Sequence, residues 1–412
     1  MSVSGLMENP NASGAMAMHQ PHQLKDASGG DRFIQVYSFS DPAFGRNNRV
    51  EIPAVDMVVD KMLVEINATL GGTASAAYMK GSFLVNNYGV QLQAKNNTVY
   101  TASEALLDQY NNQMAQNENL LLDLKLASND LAVAYRRNQY TAGVPCYIDL
   151  QPIVDSILGK AGAIGAYPSF YWAVDVGLKA AASCIDGSDG VAGTASISSM
   201  NLILIGHRED KENVQRQTAA LAENGISIAY SYPSSIRNSY AAAATSLTVS
   251  LPQIQGQMSG IWVLTRVKAG IDAVLGNAVA NSYKLYNANG DSVAVGTTGN
   301  PTLLWGRALS QNLIRQSFHG NSSMGGSASL VPATATTLAL EQSSLLNIPI
   351  SEKEWADLQF GMYSGSMRVN NDLLITFAFT TTVTADYVDV IVFVRKVATF
   401  GLSGLLANVN EE

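Results

Sequence analysis

The chain is poor in charge, in cysteine and in long apolar runs. Asp, Glu, Lys and Arg make up 14% of its 412 residues, against about 25% in an ordinary soluble domain, which points to a surface largely covered by other subunits. The formal net charge is −8 and no run of Lys or Arg forms a basic stripe, which argues against a phosphate-tracking groove, so direct sequence-specific binding of nucleic acid is not expected. The only cysteines, Cys146 and Cys184, lack CxxC or Cys/His spacing and are too few for a disulfide scaffold; they read as buried, reduced thiols. No stretch approaches the ~18 apolar residues of a membrane span, and residues 1–31 hold no continuous apolar segment of the signal-peptide kind. Neither simple export nor membrane crossing is expected.

Catalytic constellations are missing as well. His19, His22, His207 and His319 are scattered, with no HxxxH or HExxH pair. The loop DGSDG, Asp186 to Gly190, lacks the spaced carboxylates and closing Glu of a calcium loop, and reads as a glycine-rich hairpin. GKAGAIGA, residues 159–166, has the wrong spacing for a phosphate loop or a dinucleotide fingerprint, and GNSSM at Gly320 lacks the final Gly of a nucleophile elbow. The triplets at Asn67, Asn96 and Asn321 fit a glycosylation acceptor, but matter only with a secretion route. We therefore expect no enzyme, no cofactor and no metal: catalytic residues none, cofactor-binding residues none, metal ligands none.

What is present is alternation. In KMLVEINATL, residues 61–70, Met62, Val64, Ile66, Ala68 and Leu70 share one face, and Lys61, Glu65, Asn67 and Thr69 the other, the period-two signature of a half-buried strand. The pattern returns at Phe170 to Leu178, Met200 to Leu204, Leu247 to Leu251, Ile261 and Val263, Leu373 to Phe379 and Val388 to Val394, between loops rich in Gly, Ser, Asn and Thr. Two stretches read as helices: residues 103–126, with Leu107, Tyr110 and Met114 at helical spacing, and residues 208–223, closing at Asn224-Gly225. Residues 1–31 lack either periodicity and read as a flexible terminus, either simply disordered or ordering on assembly.

The chain also repeats itself. VEIPAVDMVVDKMLVEINATLG, residues 50–71, lies without a gap over VSLPQIQGQMSGIWVLTRVKAG, residues 249–270, matching Val50 to Val249, Pro53 to Pro252, Met62 to Ile261, Val64 to Val263 and Gly71 to Gly270. Identities are few; what recurs is the order strand, apolar-Pro, loop, strand, Gly. Each half also ends on a strong strand running into Arg, LILIGHR in the first and VIVFVRK in the second. Each half has the length an eight-stranded antiparallel jelly roll needs with some long loops. The expected fold is mainly β: two tandem eight-stranded jelly rolls with a few helices in loops and linker. The expected division is an arm and lead-in over residues 1–45, a first roll over 46–208, a helical linker over 209–245, a second roll over 246–398 and a tail over 399–412.

Two tandem jelly rolls behind a flexible arm resemble the double jelly-roll major capsid proteins of the tectivirus and adenovirus lineage, of the membrane-containing phage type. The lead-in YSFSDPAFGRNNRVEIP is similar to the passage from arm to first strand in tectivirus-type coat proteins, with Phe39, Asp41, Pro42, Asn48, Arg49 and Pro53 in the matching places. The resemblance implies a homotrimer whose six rolls form a pseudo-hexagonal tile of an icosahedral shell, assembled in the host cytoplasm. It implies as partners other copies of the chain, minor capsid or penton proteins, and an internal lipid membrane faced by the arm, with Met7, Met16 and Met18 as its contacts. The arm departs from the family's Gln-rich, partly helical pattern, since its Gly, Pro and Asn are poor helix formers.

Two other classes fit a jelly roll. A carbohydrate-binding or adhesin-like module would present aromatic side chains; Trp172 and Trp262 fall on strands and Trp305 and Trp355 beside loops, where core or interface packing is the simpler role. A cupin-like enzyme would need a His/Glu metal cluster that the sequence lacks.

Overall fold

The computed structural model describes residues 32–71, 77–79, 84–85, 88–107, 145–187, 194–239, 244–250, 256–266, 280–287, 292–296, 345–349, 367–369, 373–383 and 387–410. The alternating segments pair into antiparallel sheets. β1 (Arg32–Ser38), β3 (Met57–Gly71), β7 (Cys146–Asp149) and β10 (Thr194–Arg208) form one sheet in the order β1-β10-β3-β7. β2 (Asn47–Ile52), β5 (Val90–Ala94), β6 (Asn97–Ala102) and β8 (Trp172–Gly177) form a second in the order β2-β8-β5-β6. β4 (Ala77–Met79) and β9 (Ile185–Gly187) make a separate two-stranded sheet. Val50, Ile52, Leu92, Val174 and Val176 of the second sheet share one buried cluster with Met62, Val64, Met200, Leu202 and Leu204 of the first. Each such side chain contributes about 1.5–3 kcal/mol by leaving water.

The remainder of the chain repeats this order. β11 (Ile226–Ser239), β13 (Gly256–Arg266), β16 (Leu345–Pro349) and β19 (Tyr387–Gly401) run β11-β19-β13-β16, with β17 (Met367–Val369) beside β13 and β20 (Gly404–Asn410) beside β19. β12 (Ala244–Ser250), β14 (Ala280–Asn287), β15 (Ser292–Gly296) and β18 (Leu373–Val383) run β12-β18-β14-β15. The correspondence with the first roll extends to register. Val64 sits between Leu202 and Ile148, and its aligned partner Val263 sits between Val390 and Leu346. Val50 pairs with Val174, and Val249 with Ile375. The gapless alignment of residues 50–71 with 249–270 thus places like strand on like strand.

The strands reach beyond the expected limits of the rolls. Arg32–Ser38, expected in the lead-in, is the outer strand β1; Ile226–Ser239, expected in the helical linker, is β11; residues 399–410, expected as a tail, are the end of β19 and β20. In β1 the period-two signal is blurred because both faces carry apolar residues: Phe33 and Tyr37 pack on the core while Ile34 and Val36 point away from it. Pro233 is tolerated in β11 because that strand is outermost in its sheet, where a missing N–H breaks no ladder.

Helices are short and sit at strand ends. α1 (Gln151–Ser156) follows β7 and runs into tight turns at Leu158–Lys160 and Ile164–Ala166. α2 (Ala181–Cys184) precedes β9, and α3 (Lys211–Glu223) links β10 to β11. α3 is the expected second helix, beginning three residues late because Arg208 still belongs to β10. It stops where expected: the Asn224 N–H bonds Ala220 O at 3.0 Å, and Gly225 takes φ +71°, a conformation that favours glycine. Of the other expected helix, a turn at residues 104–107 is present and the rest lies outside the described residues. Replacing Leu202, fully buried between the sheets, by Ala should cost about 2–5 kcal/mol, measured as a lowered midpoint of denaturant unfolding.

Candidate functional site: the seam between the two rolls

β6 is the outer strand of one sheet of the first roll, and β11 is the outer strand of a sheet of the second. They lie next to each other and meet through side chains. The Tyr230 hydroxyl donates to Val99 O at 2.8 Å and lies 2.9 Å from Asn408 Oδ1, while Asn408 Nδ2 donates to Val99 O at 3.4 Å. Further along, Ser103 Oγ and Ser235 Oγ are 2.7 Å apart. An outer strand left open invites uncontrolled pairing, and Tyr230 and Asn408 cap the outer strand β6 at Val99 O.

Next to the serines lies a buried charge network. Arg237 makes a fork to Asp389, with Nε 2.6 Å from Oδ1 and Nη2 2.8 Å from Oδ2. Its Nη2 also reaches Glu104 Oε2 of the first roll at 3.3 Å, and Glu104 Oε1 accepts from Lys179 Nζ at 2.5 Å. The side chains of Glu104 and Asp389 are each only 4% exposed. Two cations and two carboxylates balance, and the planar guanidinium bridges both rolls. In a chain this short of charge, four ionised groups gathered at one buried seam specify how the rolls meet.

Aromatic rings fill the rest. Tyr100 lies 6.3 Å from Tyr230 and 5.9 Å from Tyr232, and Phe400 of the second roll sits among Tyr167, Phe170 and Trp172 of the first at 5.3 to 6.3 Å. Such tilted, edge and stacked contacts contribute about 0.5–1.5 kcal/mol each beyond burial. Lys396 Nζ stands 3.9 Å over the Tyr232 ring. Burial lowers the pKa of Lys396 and raises those of the Tyr167 and Tyr230 phenols, with the Asn408 hydrogen bond opposing the rise at Tyr230. α3 clamps the same region. Gln217 Oε1 accepts from the Ala163 N–H at 3.1 Å, and Gly162 takes φ +80° where a Cβ would stand 2.7 Å from that oxygen. Gly162 of GKAGAIGA therefore serves close packing against α3, while Gly159 packs on Val154 and Gly165 on Val55 and Asp56.

The residues singled out in the sequence are dispersed. Trp172 is buried in the seam cluster, so it is packed rather than presented to a ligand. Trp262 lies in β13, Cys146 in β7 and Cys184 in α2. His207 is buried, with Nδ1 3.0 Å from Asp60 Oδ2. Asp186 and Gly187 belong to β9. Asn67 donates to Ser199 Oγ at 2.9 Å inside the sheet, and Asn96 Oδ1 accepts from the Tyr171 hydroxyl at 3.4 Å. Met7, Met16, Met18, His19, His22, Trp305, His319, Asn321 and Trp355 lie outside the described residues. Among the described residues no three His, Cys, Asp or Glu side chains gather as metal ligands would, and no helix is long and apolar enough to cross a membrane. Glu104, Arg237 and Asp389 were not singled out; the available signal was their charge within otherwise apolar or small-residue segments.

Two rolls of the same strand order, joined through a built seam in one chain, define the double jelly roll, the fold of viral major capsid proteins. Among solved structures the chain is similar to PBCV-1 VP54, as fitted into a reconstruction of the virophage Sputnik, at 12% identity and TM-score 0.60, covering 92% of this chain and 97% of that one. It is likewise similar to a chain of the PBCV-1 virus capsid, at 11% identity and TM-score 0.58 with the same coverage, and to one of the Sputnik virophage, at 11% and 0.50 over 93% and 89%. No protein-family model and no curated protein matches the sequence.

Arg237→Met should deprive buried Asp389 of its guanidinium fork, leave Glu104 to Lys179, and cost about 3–5 kcal/mol, read as a fall in unfolding midpoint. A second expectation concerns alkaline pH. The Tyr167 and Tyr230 phenols are raised above their unfolded value of 10.0, so the stability they contribute is complete below that pH and is lost as pH rises toward the folded values. Tyrosinate absorbance should show both ionising later than exposed tyrosines, and Tyr167→Phe with Tyr230→Phe should flatten the alkaline loss of stability.

Proposed function

We propose that the chain is the structural subunit of a viral shell, a major capsid protein whose function is self-assembly rather than catalysis. The observation that carries this reading is the duplicated roll with matching register, in a fold shared over 92% of the chain with PBCV-1 VP54. Three copies related by a threefold axis contribute six rolls in a nearly sixfold outline, and such a tile packs a surface with equivalent contacts. In this proposal the homotrimers build an icosahedral shell over an internal membrane, with minor capsid or penton proteins completing it and assembly taking place in the host cytoplasm. The arm, residues 1–31, faces the membrane through Met7, Met16 and Met18. The weakly charged composition supports extensive coverage by sister subunits. The jelly-roll lectin alternative loses support at Trp172, which is 1% exposed.

The purified chain should sediment as a stable species of three times 43.8 kDa, and electron micrographs should show hexagonal tiles or shells. A stable monomer that binds a glycan array would overturn the capsid reading. Deletion of residues 1–31 should leave the trimer intact and impair shell formation; loss of the trimer would refute the role given to the arm.

A further inference from the structure

The equivalence of the two rolls can be carried residue by residue onto their outer strands. Leu202 and Val390 occupy the same place, beside Val64 and Val263 respectively. Across from them stand Tyr37 in β1 and Ile236 in β11. Stepping along each ladder makes Ile34, Val36 and Ser38 the counterparts of Pro233, Ser235 and Arg237. In the second roll this row faces the first roll of the same chain. Pro233 is buried, Ser235 meets Ser103, and Arg237 meets Glu104.

In the first roll the corresponding row is exposed among the described residues. Ile34 is 59% exposed and Val36 55%, and their cross-strand partners Ile205 and Ile203 are only half-buried. Four branched aliphatic side chains therefore lie contiguous on the surface, whereas the covered row of β11 holds a proline and two polar residues. Ser38 and Asn201, the counterparts of Arg237 and Asp389, are uncharged and hydrogen-bonded to each other at 2.9 Å. The strand that β11 runs along also has a counterpart: Leu92 pairs with Tyr100 in β6, and Leu285 with Ala294 in β15.

We propose that the outer row of β1 and β10 is the docking surface for a second copy of this chain, which lays its second roll, along β15, where the first roll lays β6 against β11 within one chain. This rests on the capsid reading and specifies its contact. The seam inside the chain and the contact between copies are then two versions of one geometry. The contact is head-to-tail, since a face on the first roll meets a different surface on the second, and repetition about an axis closes a ring. It differs in chemistry from the internal seam. The internal seam is ionic; the contact between copies is apolar, and so is insensitive to salt that screens exposed charge. A contiguous apolar patch of this kind marks an interaction site.

The test uses the full chain. Ile34→Glu with Val36→Glu should convert the trimer to monomer by light scattering, at low and high salt alike, while circular dichroism of the chain is unchanged, both side chains being exposed in the single subunit. A milder variant guards against misfolding: Val36→Cys should be shielded from a maleimide in the trimer and should react once the trimer is dissociated. A double variant that remains trimeric, or a Val36→Cys labelled equally fast in trimer and monomer, overturns the docking surface and leaves the capsid reading standing. Loss of the trimer on Leu406→Glu with Val409→Glu, exposed on β20, while Ile34→Glu with Val36→Glu retains it, assigns the contact to β20 and overturns the proposal. A wild-type chain that is monomeric at every concentration overturns both.

Discussion

The pairing of β11 with β19, unbroken from Ile226 opposite Phe400 to Ser239 opposite Tyr387, is the contact on which the rest of the molecule depends. It fixes β11 on one side and leaves its other edge to run along β6. Because that register is held, Tyr230 reaches Val99, Ser235 reaches Ser103, and Arg237 stands between Asp389 and Glu104. It also brings Phe400 to the Trp172 cluster and gives α3 a surface to close on. A slip of one residue would turn each of these side chains to the opposite face.

The ionic part of the seam has a particular character. Placing the Glu104 and Asp389 carboxylates away from water is expensive, and a well-packed apolar substitute could be as stable. What the network adds is register: the contact from Arg237 to Glu104 crosses between the rolls, and a misplaced roll would lose it, while Glu104 keeps Lys179 and Asp389 keeps Arg237. The aromatic residues supply contact area, and the charges supply register.

Duplication turns one geometry into two uses. Both rolls have the same strand order and the same register around Val64 and Val263, so both present the same kind of flank. One flank is covered within the chain. The other carries Ile34 and Val36 and is left open.

Much of the fold was legible in the residues, because a half-buried strand writes its environment every second position: the strands around Val64, Leu202, Val263 and Val390, the end of α3 at Asn224-Gly225, and the internal repeat. The strands β1 and β11 were harder to see, since apolar or buried residues fall on both of their faces and the alternation fades. The seam was not legible. Glu104 and Arg237 are 133 residues apart, and Arg237 and Asp389 are 152; nothing local in SEAL, SIRNS or DVIV says that these charges share one buried site. Sequence alone therefore determined the kind of strand and the fact of repetition, which are properties of short-range periodicity. Only the tertiary structure decided which edges close on one another and which stay open, because that depends on long-range pairing that brings distant side chains within hydrogen-bonding reach.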